Sequence, residues 1–158
     1  MINILFVCLG NICRSPMAEF VFRDMLKKEG MADKIHVESA ATGTEALGCK
    51  VHHGTREKLA EAGISVEGKI SVQLKKSDYE RFDYIIAMED SNVKGINRII
   101  GNDKDGKVYK LLDFAGGGDI ADPWFTGDFD VTFNDVCRGC KGLMDYLKKR
   151  LYSFYQNS

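Results

Sequence analysis

No stretch of this sequence is apolar for long enough to cross a bilayer, and the opening Met1-Ile2-Asn3-Ile4-Leu5-Phe6-Val7 lacks both a basic flank and a small-residue cleavage site. Membrane insertion and a signal peptide are therefore poor readings, and the run reads better as a buried strand. Charge of one sign is also missing. With 22 Lys and Arg against 23 Asp and Glu the formal net charge is −1, whereas proteins held to nucleic acid by phosphate contacts show a basic surplus or stripe. There are five cysteines, an odd count that makes a poor disulfide scaffold and suits a reducing compartment, which points to the cytoplasm. His36, His52 and His53 have no ligand spacing with one another or with the cysteines, so no metal and no cofactor is expected. Repeats, linkers and low-complexity tracts are absent as well.

What is present is the balance of an ordinary globular domain, 44% hydrophobic and 28% charged over 158 residues, enough chain to bury one core without disulfides or metal. A single domain over residues 1–158 is expected. Residues 2–8 form an apolar strand broken by Gly10-Asn11. Ser15 then fits a helix N-cap and Pro16 the first helical position, with Ala18, Val21, Phe22 and Met25 at helical spacing and Gly30 as the stop. Residues 35–38 alternate as a second strand, and residues 54–62 form a short helix closed by Gly63. Ser77 and Glu80 have capping-box spacing, Asp83 to Met88 reads as a third strand, and Val93, Ile96, Ile99 and Ile100 mark a helix. A fourth strand over 108–112 precedes an irregular loop with Gly116-Gly117-Gly118 and Asp122-Pro123. The last helix begins near Thr132, and on its apolar stripe Cys137 and Cys140 read as core residues rather than as a redox or zinc pair. Lys148-Lys149-Arg150 reads as its solvated end. Alternation of strand and helix predicts an α/β fold, a doubly wound parallel sheet with helices on both faces and a site at the strand C-terminal ends.

Cys8 closes the first strand, and Arg14 follows it across five intervening residues in a strand-to-helix turn. No proline interrupts residues 9–14, so the amides of Leu9, Gly10, Asn11, Ile12 and Cys13 can all turn inward as an anion nest at a helix N-terminus. Gly10 and Asn11 tolerate the left-handed backbone that such curling requires. The field that attracts a phosphate also favours the thiolate of Cys8. Arg14 offers a planar fork for two phosphoryl oxygens. Ser15 has a hydroxyl that can donate to the Cys8 sulfur, or simply cap the helix. Singly these residues mean little, since a lone cysteine after a buried strand is ordinarily inert core. Their conjunction points to phosphoryl transfer with Cys8 as nucleophile.

At Cys8-Leu9-Gly10-Asn11-Ile12-Cys13-Arg14-Ser15-Pro16 the sequence resembles the low-molecular-weight protein tyrosine phosphatase family. The likeness extends to Ser39-Ala40-Ala41-Thr42, Phe82-Asp83-Tyr84-Ile85-Ile86-Ala87-Met88, Ser91-Asn92 and Asp122-Pro123. The resemblance implies a four-stranded sheet and metal-free hydrolysis of a phosphotyrosine protein or aryl phosphate through phosphocysteine, with inorganic phosphate as product. It also decides for Asp122 as general acid and base among the nearby Asp119, Asp128 and Asp130, and it places Trp124 and Phe125 on the substrate cleft. From the residues alone, Pro123 biases Asp122 to an extended backbone and Trp124-Phe125 would partly desolvate it. Cys13 lies where it can pair with an oxidised Cys8, or is simply a small packing residue.

Two positions depart from the family pattern. Lys69 stands where many members have a histidine that helps to hold the loop asparagine, so Asn11 is expected to lean on Ser39. Glu45 stands where relatives often place a bulky apolar residue on the pocket rim, which would favour substrates with basic flanks. Ile12 separates the chain from the related arginine phosphatases, which carry threonine at that place. A thioredoxin-coupled arsenate reductase would need relay cysteines after the third strand, where this chain has Met88-Glu89-Asp90-Ser91. A silent phosphopeptide-binding module is a third class, against which Cys8, Arg14 and Asp122 count together.

Overall fold

In a computed structural model that describes residues 1–156, β1 (Ile2–Cys8) is apolar on both sides of its alternation and both sides are covered. Ile4, Phe6 and Cys8 face α1 (Arg14–Lys28), and the same cluster includes Val136, Cys140, Leu143 and Leu147 of the last helix. Leu5 and Val7 face the opposite cluster, with Ile96 and Ile100. The period of two in a strand thus decides that the Cys8 side chain points to the α1 side. Each fully buried Ile, Leu or Phe in these layers contributes about 1.5–3 kcal/mol relative to exposure.

The remaining elements are β2 (Ile35–Ala41), α2 (His53–Glu61), α3 (Asp78–Arg81), β3 (Tyr84–Ala87), α4 (Asp90–Ile100), β4 (Val108–Lys110), α5 (Pro123–Thr126) and α6 (Phe129–Gln156). The four strands form one sheet in the order β2-β1-β3-β4, every pair parallel, as the alternation predicts. The chain leaves β1 for β2 on one side and later returns to place β3 on the other. The crevice at the C-terminal end of β1 is therefore the switch point where α/β sheets bind ligands. The loops after β1 and β3, and the segment after β4, converge there, with Ile120 N–H donating to Met88 O at 2.9 Å.

Several local expectations shift. Helix α1 opens at Arg14, with Cys13 at the N-cap and no side-chain cap, because the Ser15 hydroxyl is engaged elsewhere. Pro16 still lies in the first turn, where its missing N–H costs nothing. Ser77 makes no cap, and Asp78 Oδ2 instead accepts from Lys75 N–H at 2.8 Å. β2 runs on to Ala41, β4 ends at Lys110, and Leu111–Ala115 winds as a 3-10 turn. Within the expected loop, Asp122 caps the four-residue α5. α6 starts at Phe129 and continues to Gln156, so Lys148-Lys149-Arg150 is not its end. Cys140 is fully buried and Cys137 packs against that core, as the stripe predicts. The expected domain runs to residue 158, and residues 157 and 158 lie outside the described ones.

Candidate active site

Around the turn after β1, the carbonyl groups point outward and are bonded there. Thr42 N–H donates to Cys8 O at 3.0 Å, Gly43 N–H to Leu9 O at 2.9 Å and His52 N–H to Ile12 O at 2.8 Å. The hydroxyl of Ser71 donates to Gly10 O at 2.8 Å and that of Thr55 to Cys13 O at 3.2 Å. With the carbonyls held outside, the amides are left facing the centre as a nest. Asn11 supplies the left-handed residue at φ 56°, while Gly10 does not take positive φ. Cys8 Sγ sits at the bottom, 3.3 Å from Asn11 N, 3.4 Å from Ser15 N and 3.0 Å from Ser15 Oγ. Two amides and a hydroxyl surrounding one sulfur stabilise negative charge on it.

Beneath the loop runs a directed hydrogen-bond chain. Glu19 Oε1 accepts from the Ser39 hydroxyl at 2.5 Å, Ser39 Oγ accepts from Asn11 Nδ2 at 2.9 Å, and Ser15 Oγ accepts from the same amide nitrogen at 2.7 Å. Asn11 Oδ1 accepts from Val72 N–H at 3.2 Å, which fixes the amide orientation. Lys69 Nζ donates to Ser39 O at 2.8 Å and stands 3.6 Å from Glu19 Oε1. Burial holds the Lys69 ammonium below the usual lysine range, with Glu19 opposing the shift. Ser39 thus supports Asn11 as expected, but Lys69 remains attached to the same support through Glu19.

Arg14 is 2% exposed, an expensive burial unless paired. Its Nη1 donates to Glu89 Oε2 and to Ile120 O, each at 2.8 Å, and Nη2 donates to Asp122 Oδ2 at 3.2 Å. Of the five guanidinium protons, two remain for a ligand. Asp122 has an extended backbone, φ −81° and ψ 113°, and its Oδ1 caps α5 by accepting from Trp124 N–H at 3.0 Å. Trp124 and Phe125 are 60% and 79% exposed and stand on the rim of the cleft that Asp122 also lines. The Asp122 carboxylate, paired with Arg14, is 18% exposed.

The cleft above the loop encloses about 290 Å³. Cys8, Leu9, Gly10, Ile12, Cys13, Arg14, Glu45, Asp122, Trp124 and Phe125 all line it. Asn11, Ser15 and Ser39 do not; they lie buried beneath it, so Asn11 reaches the site through its backbone and its support of the loop. Burial pushes the Cys13 thiol up to about 12, with Cys8 and Asp122 adding to the shift, so Cys13 stays protonated at neutral pH.

The sequence profile of the low molecular weight phosphotyrosine protein phosphatase family matches residues 3–153. The chain belongs to this family. It is 41% identical to the low molecular weight protein-tyrosine-phosphatase YfkJ of Bacillus subtilis over 94% of this chain and 97% of that protein. It is 43% identical to PtpA of Staphylococcus epidermidis, covering 94% and 96% of the two chains. The crystal structure of YfkJ superimposes with a TM-score of 0.91 at 40% identity, over 95% of this chain and 96% of that one. This low-molecular-weight phosphatase is therefore an enzyme of the phosphatase class on sequence and fold alike.

Three residues of the phosphatase site escaped the sequence reading. Glu19 looks like any polar position on an amphipathic helix, yet it anchors the support chain. Glu89 follows a buried strand with no motif of its own, and only Arg14 across the fold gives it meaning. Ser71 lies in an unpatterned stretch. A buried charge needs a partner, so the one signal available was that an arginine at the start of a covered helix requires an acid from another segment.

Proposed function

We propose that this phosphatase hydrolyses phosphotyrosine in proteins, with Cys8 as nucleophile, Arg14 and the loop amides as phosphate clamp, and Asp122 as acid and then base. The single observation that carries this reading is the position of Cys8 Sγ. It takes three donors at the floor of a cleft that Arg14 and Asp122 close from one side.

In the first step the Cys8 thiolate attacks phosphorus, the bond from phosphorus to the aryl oxygen breaks, and protonated Asp122 gives its proton to the departing oxygen. In the second, Asp122 carboxylate takes a proton from water, the water oxygen bonds to phosphorus, and the bond from phosphorus to sulfur breaks. The sulfur leaves as thiolate, met by the Ser15 hydroxyl and the Asn11 and Ser15 amides. The two free guanidinium protons of Arg14 address equatorial oxygens, where transition-state charge is spread. Because a phenol has a pKa near ~10, its expulsion gains about 10²–10⁴-fold from the acid.

Ile12 and the aromatic rim of Trp124 and Phe125 support an aryl ester over phosphoarginine. Glu45, exposed at the cleft mouth, supports substrates with basic residues beside the phosphotyrosine. The cytoplasm, where thiols stay reduced, suits five free cysteines. None of the described helices is long and apolar enough to cross a membrane. Turnover compared on phosphotyrosine, phosphoarginine and phosphoserine peptides tests the reading. Phosphotyrosine should dominate and Cys8→Ser should abolish it; equal or greater turnover of phosphoarginine, or full activity in Cys8→Ser, would overturn it.

A further inference from the structure

Outside the loop and its support, one side chain packs behind Trp124 of the cleft rim. His52 stands at the N-cap of α2, and its Nδ1 accepts from Gly54 N–H at 3.0 Å. Accepting there leaves Nε2 to carry the proton of the neutral ring. The same residue's backbone N–H donates to Ile12 O, tying it to the phosphate loop. Its ring lies 5.5 Å from the Trp124 ring at 75°, edge to face, and 5.3 Å from Phe129 at 12°, stacked. Phe129 is seated firmly, since a Cβ on Gly54 would meet its ring at 2.3 Å. The imidazole is thus a wedge between α2, α5 and the start of α6.

The consequence for the site follows from α5. Four residues make one turn with little packing of their own, and Trp124 is mostly exposed, so the short helix depends on neighbours for its place. Trp124 N–H is bonded to the Asp122 carboxylate, so the position of the indole and that of the acid are linked. We propose that His52 is a positioning residue for the phosphatase reaction, whose neutral ring docks Trp124 and thereby holds the aromatic wall and the Asp122 carboxylate over the loop. The proposal rests on the roles given to Asp122 and Trp124 above.

Protonation would break the cap and leave the ring against Trp124, because an imidazolium Nδ1 cannot accept from Gly54 N–H. The surroundings oppose that charge. Burial first, then His53 stacked at 4.3 Å, then Arg56 hold the His52 ring below the usual histidine range, with Glu57 opposing them. From the other elements, Asp122 is bonded to Arg14 and Asp130 of α6 to Lys58, so both carboxylates already have cationic partners.

Trp124 is the sole tryptophan of the chain, so its fluorescence reports the dock directly. Two variants separate ring from cap. His52→Asn keeps a good N-cap and removes the ring, and His52→Phe keeps an aromatic face and removes the cap acceptor. In His52→Asn, KM for phenyl phosphate should rise about three- to tenfold, the worth of one aromatic pair, with kcat also lowered and with the unfolding temperature close to wild type. His52→Phe should retain the wild-type KM. In the wild type, Trp124 emission should fall as the pH drops through the His52 titration, since an imidazolium quenches indole, and both variants should lose that step. Unchanged phenyl phosphate kinetics in His52→Asn, or a fluorescence step that persists in it, would overturn the proposal. If the wild type failed to turn over aryl phosphates, the functional reading would fall by itself, and the fluorescence titration would still decide whether His52 docks Trp124.

Discussion

Ser15 accepts one proton from the Asn11 amide, so its own hydroxyl proton is free to go to Cys8 and to no member of the chain beneath it. The direction is imposed from the far end, because an ionised Glu19 can only accept and Ser39 must donate to it. Replacing Glu19 with Gln removes that constraint and leaves Lys69 and Arg23 without their shared carboxylate. Breaking a buried pair in this way should cost roughly 3 kcal/mol in urea denaturation and lower kcat more than it raises KM. Asp122 calls for a different substitution. Alanine would remove the α5 cap as well as the acid, so Asp122→Asn is the cleaner variant. It should slow release of phenol from phenyl phosphate by ~10²-fold or more, and slow release of an acidic nitrophenol far less. At the rim, Glu45→Lys should reverse the preference between peptides with basic and acidic flanks, read as kcat/KM ratios, and leave turnover of phenyl phosphate unchanged.

Among the elements, α6 and the 3-10 turn Leu111–Ala115 decide where the acid-bearing segment runs. Gly139 and Gly142 form a notch on α6 in which that turn lies. A Cβ on Gly142 would fall 2.0 Å from Phe114 O, a backbone atom that no rotamer change can move. Gly142→Ala should therefore destabilise the fold by about 3 kcal/mol, visible as a lower unfolding temperature. The stripe of Val136, Cys140, Leu143 and Leu147 was legible along the sequence, because burial of one helix face repeats every three or four residues. The notch was not, because a glycine on a helix announces neither what approaches it nor from which direction. α5 was illegible for another reason, since a single turn has no period. Of the two roles open to Ser15 from the sequence, helix cap or donor to Cys8, the structure has the hydroxyl 3.0 Å from the Cys8 sulfur and no side-chain cap on α1.

Over the whole molecule, buried acids with raised pKa values set the alkaline limit of stability. Cys13 is pushed up to about 12, by burial first, and Tyr84 is raised to about 12, by burial and then by Tyr146. In both the folded pKa lies above the unfolded one, so the folded state keeps a proton that the unfolded chain releases. Their contribution is fully present below the unfolded values, near 9.0 for cysteine and 10.0 for tyrosine, and is lost as pH rises toward about 12. Lys69, with its pKa lowered by burial, works in the opposite sense, gaining stability as the unfolded chain's lysine approaches its own titration. The urea midpoint should fall between pH 9 and 11, and Cys13→Ala should make that fall shallower whatever its effect at neutral pH.

The phosphate loop was determined by the sequence alone because its chemistry is local. The nucleophile, the nest amides, Arg14 and the Ser15 hydroxyl all lie within eight consecutive residues of one strand-to-helix turn. The parallel sheet was equally legible, since alternating strands and helices leave few other ways to bury both faces. The residues that hold and complete that loop came into contact with it only in the tertiary structure, Ser39 and Asp122 having been named through the family resemblance and Glu89 not at all. Ser39 reaches Asn11 from 28 residues away, Glu89 reaches Arg14 from 75 and Asp122 from 108. A buried guanidinium and a buried amide must find partners wherever the fold brings them, and no spacing along the chain encodes that meeting.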